Sequence, residues 1–161
     1  MKLSEVLKKV KPLEIVNGAD VEITGVCTDS RKVKPGNLFV AVRGTQVDGH
    51  DFIAAAVSLG AAAVLMDAVI EKYVTDGVVF VRVANTEDAV GPVATTFFGD
   101  PSRHLKLVGV TGTNGKTTIA TLLYTLFRKL GYKCGLCSTV CNYIDGEAVP
   151  AGWRSMTDPV T

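Results

Sequence analysis

The sequence predicts an α/β protein built as two consecutive units, and three observations carry that prediction. Short apolar runs alternate with helical stripes through the first hundred residues. A turn-rich segment, Gly99-Asp-Pro-Ser-Arg103, then interrupts the pattern. Beyond it, an apolar run leads through a glycine-rich loop into an amphipathic helix. The expected organisation is an N-terminal domain over 1–100 and the start of a second domain over 101–161.

The first unit begins with Leu3, Val6, Leu7 and Val10, spaced as one face of a short helix that Pro12 ends. Val21, Ile23 and Val26-Cys27 suggest a strand, and Lys34-Pro-Gly-Asn37 a turn. Leu38–Val42 is a run of the kind buried on both faces of a sheet. Phe52, Ile53, Ala56 and Val57 mark a helix with Gly60 as its C-terminal cap. Ala61–Met66 and Val78–Val83 read as further strands. Asn85 or Thr86 can cap a helix running to about Phe98, in which Pro92 predicts a kink or a late start.

In the second unit, Leu105–Val110 has the pattern of a doubly buried strand. Ile119, Leu122, Leu123, Leu126, Phe127 and Leu130 form one helix face, closed by Gly131. A strand over 133–140 is expected to lie parallel to the first, which makes a βαβ unit. One such unit cannot cover its own sheet. The expectation is therefore a piece of a longer protein, continuing for roughly 300 residues past Thr161.

Composition narrows the function. The formal net charge is +1, so no broad basic field exists for nucleic acid. No apolar run reaches the roughly 18 residues a membrane-spanning helix needs, and the N-terminus lacks a signal-peptide core. The expected location is the cytoplasm. There the four cysteines, Cys27, Cys134, Cys137 and Cys141, are expected as thiols. Cys134-Gly-Leu-Cys137 has no second pair to complete a zinc site, which favours small buried hydrophobes over a metal centre. Of the two histidines, His50 is expected to support the loop at 45–48 and His104 to face solvent.

The segment Thr111-Gly-Thr-Asn-Gly-Lys-Thr-Thr118 carries the chemistry. A strand delivers the loop, and Gly112 and Gly115 let its N–H groups turn inward. Thr113 and Asn114 lie between them. The following helix adds its positive dipole end, Lys116 can reach β- and γ-phosphates, Thr117 can offer its hydroxyl to Mg²⁺, and Thr118 adds a second hydroxyl. A glycine turn with a chance lysine is the bland reading, and the coincidence of all four elements argues against it. Val110 stands where the general nucleotide-loop pattern has glycine, so the match is to a shorter variant.

Gly109-Val-Thr-Gly-Thr-Asn-Gly-Lys-Thr-Thr118 resembles the ATP loop of the Mur ligases, the amide-forming enzymes of peptidoglycan assembly. Thr28-Asp-Ser-Arg31, Pro35–Gly44, Asp48–Ile53 and Gly60-Ala61 resemble the nucleotide-sugar domain of the type that adds the third amino acid to UDP-N-acetylmuramoyl-alanyl-glutamate, the MurE type. The MurF type shares Asp-Ser-Arg and Pro-Gly-Asn-Leu-Phe and stays a rival. The resemblance covers nearly the whole chain. It implies ATP and Mg²⁺ as cofactors, a UDP-MurNAc-dipeptide substrate activated as an acyl phosphate, and attack by an amino acid, diaminopimelate or lysine. It gives Lys116 and Thr117 catalytic roles, and Thr117 the metal. It places uridine contacts at Thr28, Ser30, Thr45, Gln46 and Val47. Ser30 reads equally as a turn cap, and Asp29 and Arg31 as an internal ion pair. Ser155 and Thr157, in Arg154-Ser-Met-Thr-Asp-Pro159, stand near the family's substrate-contact segment, in shifted register.

The amino-acid pocket lies outside this sequence, so the chain is not expected to ligate alone. Folylpolyglutamate synthetase is a further family alternative, disfavoured by the Thr28–Ala61 block. A non-catalytic UDP-sugar or ATP-binding module is the alternative from another class, disfavoured by the apolar surface an unpaired βαβ unit would expose.

Overall fold

The structure, a computed structural model, describes residues 1–44 and 47–149. Met1–His104 forms one compact unit and the described residues from Leu105 form a second.

The first unit is a five-stranded sheet in the order β1-β5-β4-β3-β2. Its strands are β1 (Glu14–Val16), β2 (Gly25–Cys27), β3 (Asn37–Val40), β4 (Ala63–Met66) and β5 (Val79–Arg82). The β2, β3, β4 and β5 pairs are parallel, and only β1 runs antiparallel, against β5. Pleating sorts alternate residues onto two faces. Leu38, Val40, Ala63, Leu65, Val79 and Val81 face one way, onto α1 (Leu3–Val6) and α3 (Thr86–Phe97). Phe39, Ala41, Val64, Met66 and Phe80 face the other, onto α2 (Ile53–Ser58) and the turn at Ile70. All eight residues of β3 and β4 are buried, as a parallel sheet covered on both faces requires.

The local signals set most boundaries. Asn85 caps α3 by accepting N–H bonds from Glu87 (2.7 Å) and Asp88 (3.2 Å), and those two acidic residues sit favourably at the helix's positive end. The helix starts at Thr86, so Pro92 causes no late start. Gly60 adopts φ +93° after α2 and donates to Val57. Residues 21–24 differ from expectation. They form no strand, although Ile23 is buried, and strand pairing begins at Gly25. β1 is a short edge strand with Ile15 half exposed, too weakly patterned to stand out in the sequence.

The second unit departs further. Residues 105–110 carry no strand, and Leu107 is 92% exposed. The helix α4 (Lys116–Lys129) forms as expected, and Gly131 closes it at φ +85°. The expected parallel strand over 133–140 is instead β6 (Gly135–Leu136), antiparallel to β7 (Asn142–Ile144), which pairs with β8 (Glu147–Val149). The βαβ pairing is thus replaced by a meander, for two local reasons. Ser138 Oγ donates to the Cys141 carbonyl at 2.6 Å and turns the chain. Asp145-Gly146, both at positive φ, then forms a tight two-residue hairpin turn. The turn is fastened to α4 by an Arg128–Asp145 ion pair and by the Gly146 N–H donating to Tyr124 Oη at 2.8 Å. Cys137 is exposed and Cys134 and Cys141 are half-buried, so they are not the buried hydrophobes expected. The described residues contain no group of three or more His, Cys, Asp or Glu side chains poised to hold a metal.

Candidate functional site

In the first unit, the parallel strands bring their C-terminal ends to one edge of the sheet. That edge is where open α/β sheets bind ligands, because loops and helix N-termini converge there. Thr28 and Ser30 follow β2, Val47 lies in the loop after β3, Asp67 follows β4 and Asn85 follows β5. Three of the expected uridine contacts, Thr28, Ser30 and Val47, therefore come from this edge. Thr45, Gln46, Ser155 and Thr157, and with them Trp153, lie outside the described residues.

The Thr28–Lys32 turn is fixed internally. Arg31 donates to both Asp29 carboxylate oxygens, at 2.9 and 2.8 Å, and the Asp29 side chain also accepts the Arg31 N–H. These bonds, the guanidinium first, hold the Asp29 carboxyl below the usual carboxylate range. Asp29 and Arg31 are thus a structural pair. Ser30 is buried within the 3-10 turn and Val47 is exposed.

A polar network at the same edge was only partly legible in the sequence. Arg43 and Asp48 bridge the two sides of the loop after β3, and the Gly44 N–H donates to the Val47 carbonyl at 2.9 Å. Gly49 donates to Val42, and a Cβ there would stand 2.5 Å from the Val42 carbonyl oxygen. His50, 3% exposed, lies beneath with Nδ1 2.6 Å from Asp48 Oδ1. Its Nε2 accepts the Asp67 N–H at 3.2 Å, so the ring proton sits on Nδ1 and is donated to Asp48. Asp67 Oδ2 in turn accepts from both the N–H and the hydroxyl of Thr86. Arg43 Nε approaches Asp67 Oδ1 at 3.1 Å. The Asp48 carboxyl is pulled below the usual range, first by the His50 N–H and then by the His50 side chain and Arg43. Arg43, Asp67, Ala84, Asn85 and Glu87 line an open cavity of about 330 Å³. The sequence singled out His50. Arg43 and Asp67 went unnoticed, and their only signal is a charged residue directly after a buried apolar run.

The second unit holds the glycine loop. Gly115, at φ +78°, is the N-cap of α4 and has no side chain with which to cap it. The first-turn N–H groups of Lys116, Thr117 and Thr118 therefore face an uncapped helix end at a positive dipole. Gly112 sits at φ +151°, and a Cβ at Gly115 would meet nothing within 4 Å. The position beside Gly115 is open. Lys116 Nζ curls back over the loop, donating to the Gly112 and Thr113 carbonyls at 2.5 and 3.2 Å. The expected phosphate contacts from Gly112 to Thr118 thus fall together on one loop and helix end, with Asn114 between the two glycines.

Comparison with known proteins decides the family. Residues 22–98 match the "Mur ligase family, catalytic domain", and residues 110–159 match the "Mur ligase middle domain". The chain belongs to the Mur ligase family. Over all 161 residues this Mur ligase chain is 56% identical to the UDP-N-acetylmuramoyl-L-alanyl-D-glutamate–2,6-diaminopimelate ligase of Bacteroides fragilis, covering 33% of that protein. A solved structure of a ligase with that same substrate description superposes over 99% of this chain and 31% of its own, with TM-score 0.68 and 24% identity. The MurF ligase of Thermotoga maritima, solved in complex with ADP, is 32% identical, covers 65% of this chain and 23% of its own, and has TM-score 0.50. The chain spans about a third of the length of the curated relatives it matches. No helix among the described residues is long and apolar enough to cross a membrane.

Proposed function

We propose that this Mur ligase chain supplies the nucleotide-sugar half-site and the ATP phosphate loop of an ATP-dependent ligase that joins diaminopimelate to UDP-N-acetylmuramoyl-L-alanyl-D-glutamate in the cytoplasm. The observation that carries it is 56% identity, over all of this chain and 33% of the relative, to a protein of that description. MurF neighbours stand further off, which favours the MurE type over its rival.

In this reading the domain border falls at 100/101. Thr28, Ser30, Thr45, Gln46 and Val47 bind the uridine end of the substrate. Ser155 and Thr157 contact its muramoyl peptide. Gly112, Thr113, Asn114 and Gly115 wrap the ATP phosphates with backbone N–H groups, assisted by the first turn of α4 through Thr118. Lys116 is the mobile cation: its Nζ, now on two loop carbonyls, exchanges them for phosphate oxygens. The Thr117 hydroxyl is a hard oxygen donor at the edge of the loop and fits Mg²⁺. Mg²⁺, held there, would supply positive charge to offset that of the triphosphate. The residues of this chain orient the two substrates and offset the developing charge, and the amine pocket belongs to the remainder of the protein.

Calorimetric titration with UDP-MurNAc-dipeptide and, separately, with a non-hydrolysable ATP analogue tests the reading. Binding of both is expected, with Lys116→Ala weakening the ATP analogue at least tenfold and leaving the uridine ligand unaffected. Equal analogue affinity in Lys116→Ala, or no uridine binding at all, overturns it.

A further inference from the structure

We propose that Asp29 is a positioning residue for the uridine end of the substrate, and that Arg31 acts on Asp29 and not on the substrate's phosphates. The inference rests on the reading above that Thr28 and Ser30 contact the uridine.

Those two residues flank Asp29 in a turn that leaves an edge strand. β2 pairs on one side only, with β3, and its last registered pair is Cys27 with Phe39. Beyond Cys27 the ladder ends, and bonds within the turn set the course of residues 29–32. The Asp29 side chain is the N-cap of the 3-10 turn Ser30–Lys32 and accepts the Arg31 N–H at 3.1 Å. The Asp29 carbonyl accepts the Lys32 N–H at 3.0 Å and the Cys27 thiol at 3.0 Å. At the far end, Val33 is buried in the same apolar cluster as Ile53 and Ala56 of α2. Asp29 thus ties its carbonyl back to the end of β2 and its carboxylate forward to the turn, with Thr28 on one side and Ser30 on the other.

Arg31 supplies the other half of the device. Its Nε and Nη2 donate side by side to the two carboxylate oxygens at 2.9 and 2.8 Å, the geometry of a strong charge-assisted pair. This contact is the main cause of the lowered Asp29 value, so the cap stays ionised. The Arg31 side chain is 87% exposed, and an exposed arginine beside a nucleotide site invites a phosphate role. Its bidentate edge is committed to Asp29, however, and the Asp29 charge offsets its own. A phosphate contact would act on UDP and leave uridine alone. A lock on the turn would act on both ligands alike.

The experiment titrates the 161-residue chain with uridine and with UDP, followed by NMR, in wild type, Asp29→Asn, Asp29→Ala and Arg31→Ala. Asn keeps an oxygen for the Arg31 N–H, so Asp29→Asn is expected within about threefold of wild type for both ligands. Asp29→Ala removes the cap and leaves the competent turn a minor population, so both ligands are expected about tenfold weaker. Arg31→Ala keeps the cap and loses an exposed ion pair, so both ligands are expected about threefold weaker, at an unchanged ratio of UDP to uridine affinity. Melting temperatures are expected to stay within a few degrees of wild type. Affinity in Asp29→Ala equal to wild type overturns the positioning role, as does a loss in Asp29→Asn as large as in Asp29→Ala. A loss of UDP affinity in Arg31→Ala with uridine affinity intact makes Arg31 a phosphate contact and overturns the lock. Arg31 is a surface side chain, so its variant decides the matter even where Asp29→Ala fails to fold. Failure of wild type to bind either ligand overturns the uridine reading, and this proposal with it, whereas wild-type binding that Asp29→Ala leaves unchanged overturns this proposal alone.

Discussion

Two apolar runs of similar composition meet opposite fates in this molecule. Leu38–Val42 becomes the buried centre of a sheet, with a parallel neighbour on each side and helices on both faces. Leu105–Val110 forms no strand, and Leu107 stands almost fully in solvent. The contrast shows that an apolar run is half an instruction. A strand buried on two faces needs neighbours for its backbone groups and layers for its side chains. The first unit carries both within about a hundred residues. In the second, the segment that would have paired with 105–110 is drawn into a hairpin by its own turn chemistry.

The contrast is most easily broken by truncating one residue in each region. Phe80→Ala, in a fully buried position, is expected to cost about 3–5 kcal/mol. Leu107→Ala is expected to stay within about 0.5 kcal/mol of wild type. Urea unfolding measures both, and a cost above 1 kcal/mol at Leu107 would show that its run is packed after all. The local origin of the second unit's meander is sharpened by Gly146→Ala. A Cβ there meets positive φ and lies 2.8 Å from Arg128 Nη2, so the hairpin is expected to lose about 1–2 kcal/mol. Amide exchange across β7 and β8 reads this loss. In the first unit, Asn85→Ala removes the cap of α3 and is expected to cost about 1 kcal/mol, visible as a lowered melting temperature.

The smallest effect is electrostatic and belongs to the first unit. Asp29, Asp48 and Asp100 are held below the usual carboxylate range, mainly by Arg31, by the His50 N–H and by Lys9 respectively. A carboxyl with a lowered folded-state value stabilises the fold above its unfolded value, and that contribution is lost as pH falls through the folded one. Melting temperature is therefore expected to drop between about pH 5 and pH 3, with a shallower drop in Asp29→Asn. An unchanged slope in that variant would assign the acid sensitivity elsewhere.

Much of the first unit was legible because its signals are local and agree with one another. The β3 run, the α2 stripe with Gly60 and the Asn85 cap each name their own element. The edge strand β1 was not legible, since three residues with one exposed isoleucine leave no periodicity. In the second unit the glycine loop and α4 were legible and the sheet was not. The Asp145-Gly146 turn is the overlooked signal: flanked by strand-forming residues, it specifies a hairpin more strongly than a general preference for crossovers specifies a parallel strand. At the candidate site, small polar residues and a glycine loop could be found by motif. Asp67 could not, because what it does depends on β4 ending beside His50 and the start of α3.

The sequence by itself determined the glycine loop and the open helix end behind it, since a glycine pair, a lysine and a helix start suffice to build an uncapped N-terminus within eight consecutive residues. It also determined the two-faced core of the first unit, through alternation along each strand. Only the tertiary structure decided which strand ends share an edge, and hence that Thr28, the loop after β3, Asp67 and Asn85 come together. It likewise decided that 105–110 forms no strand with the described residues. The physical reason is common to both cases. Turns and caps are satisfied within a few residues, whereas a strand, or a buried histidine between two carboxylates, is defined by partners that the chain brings from far along its length.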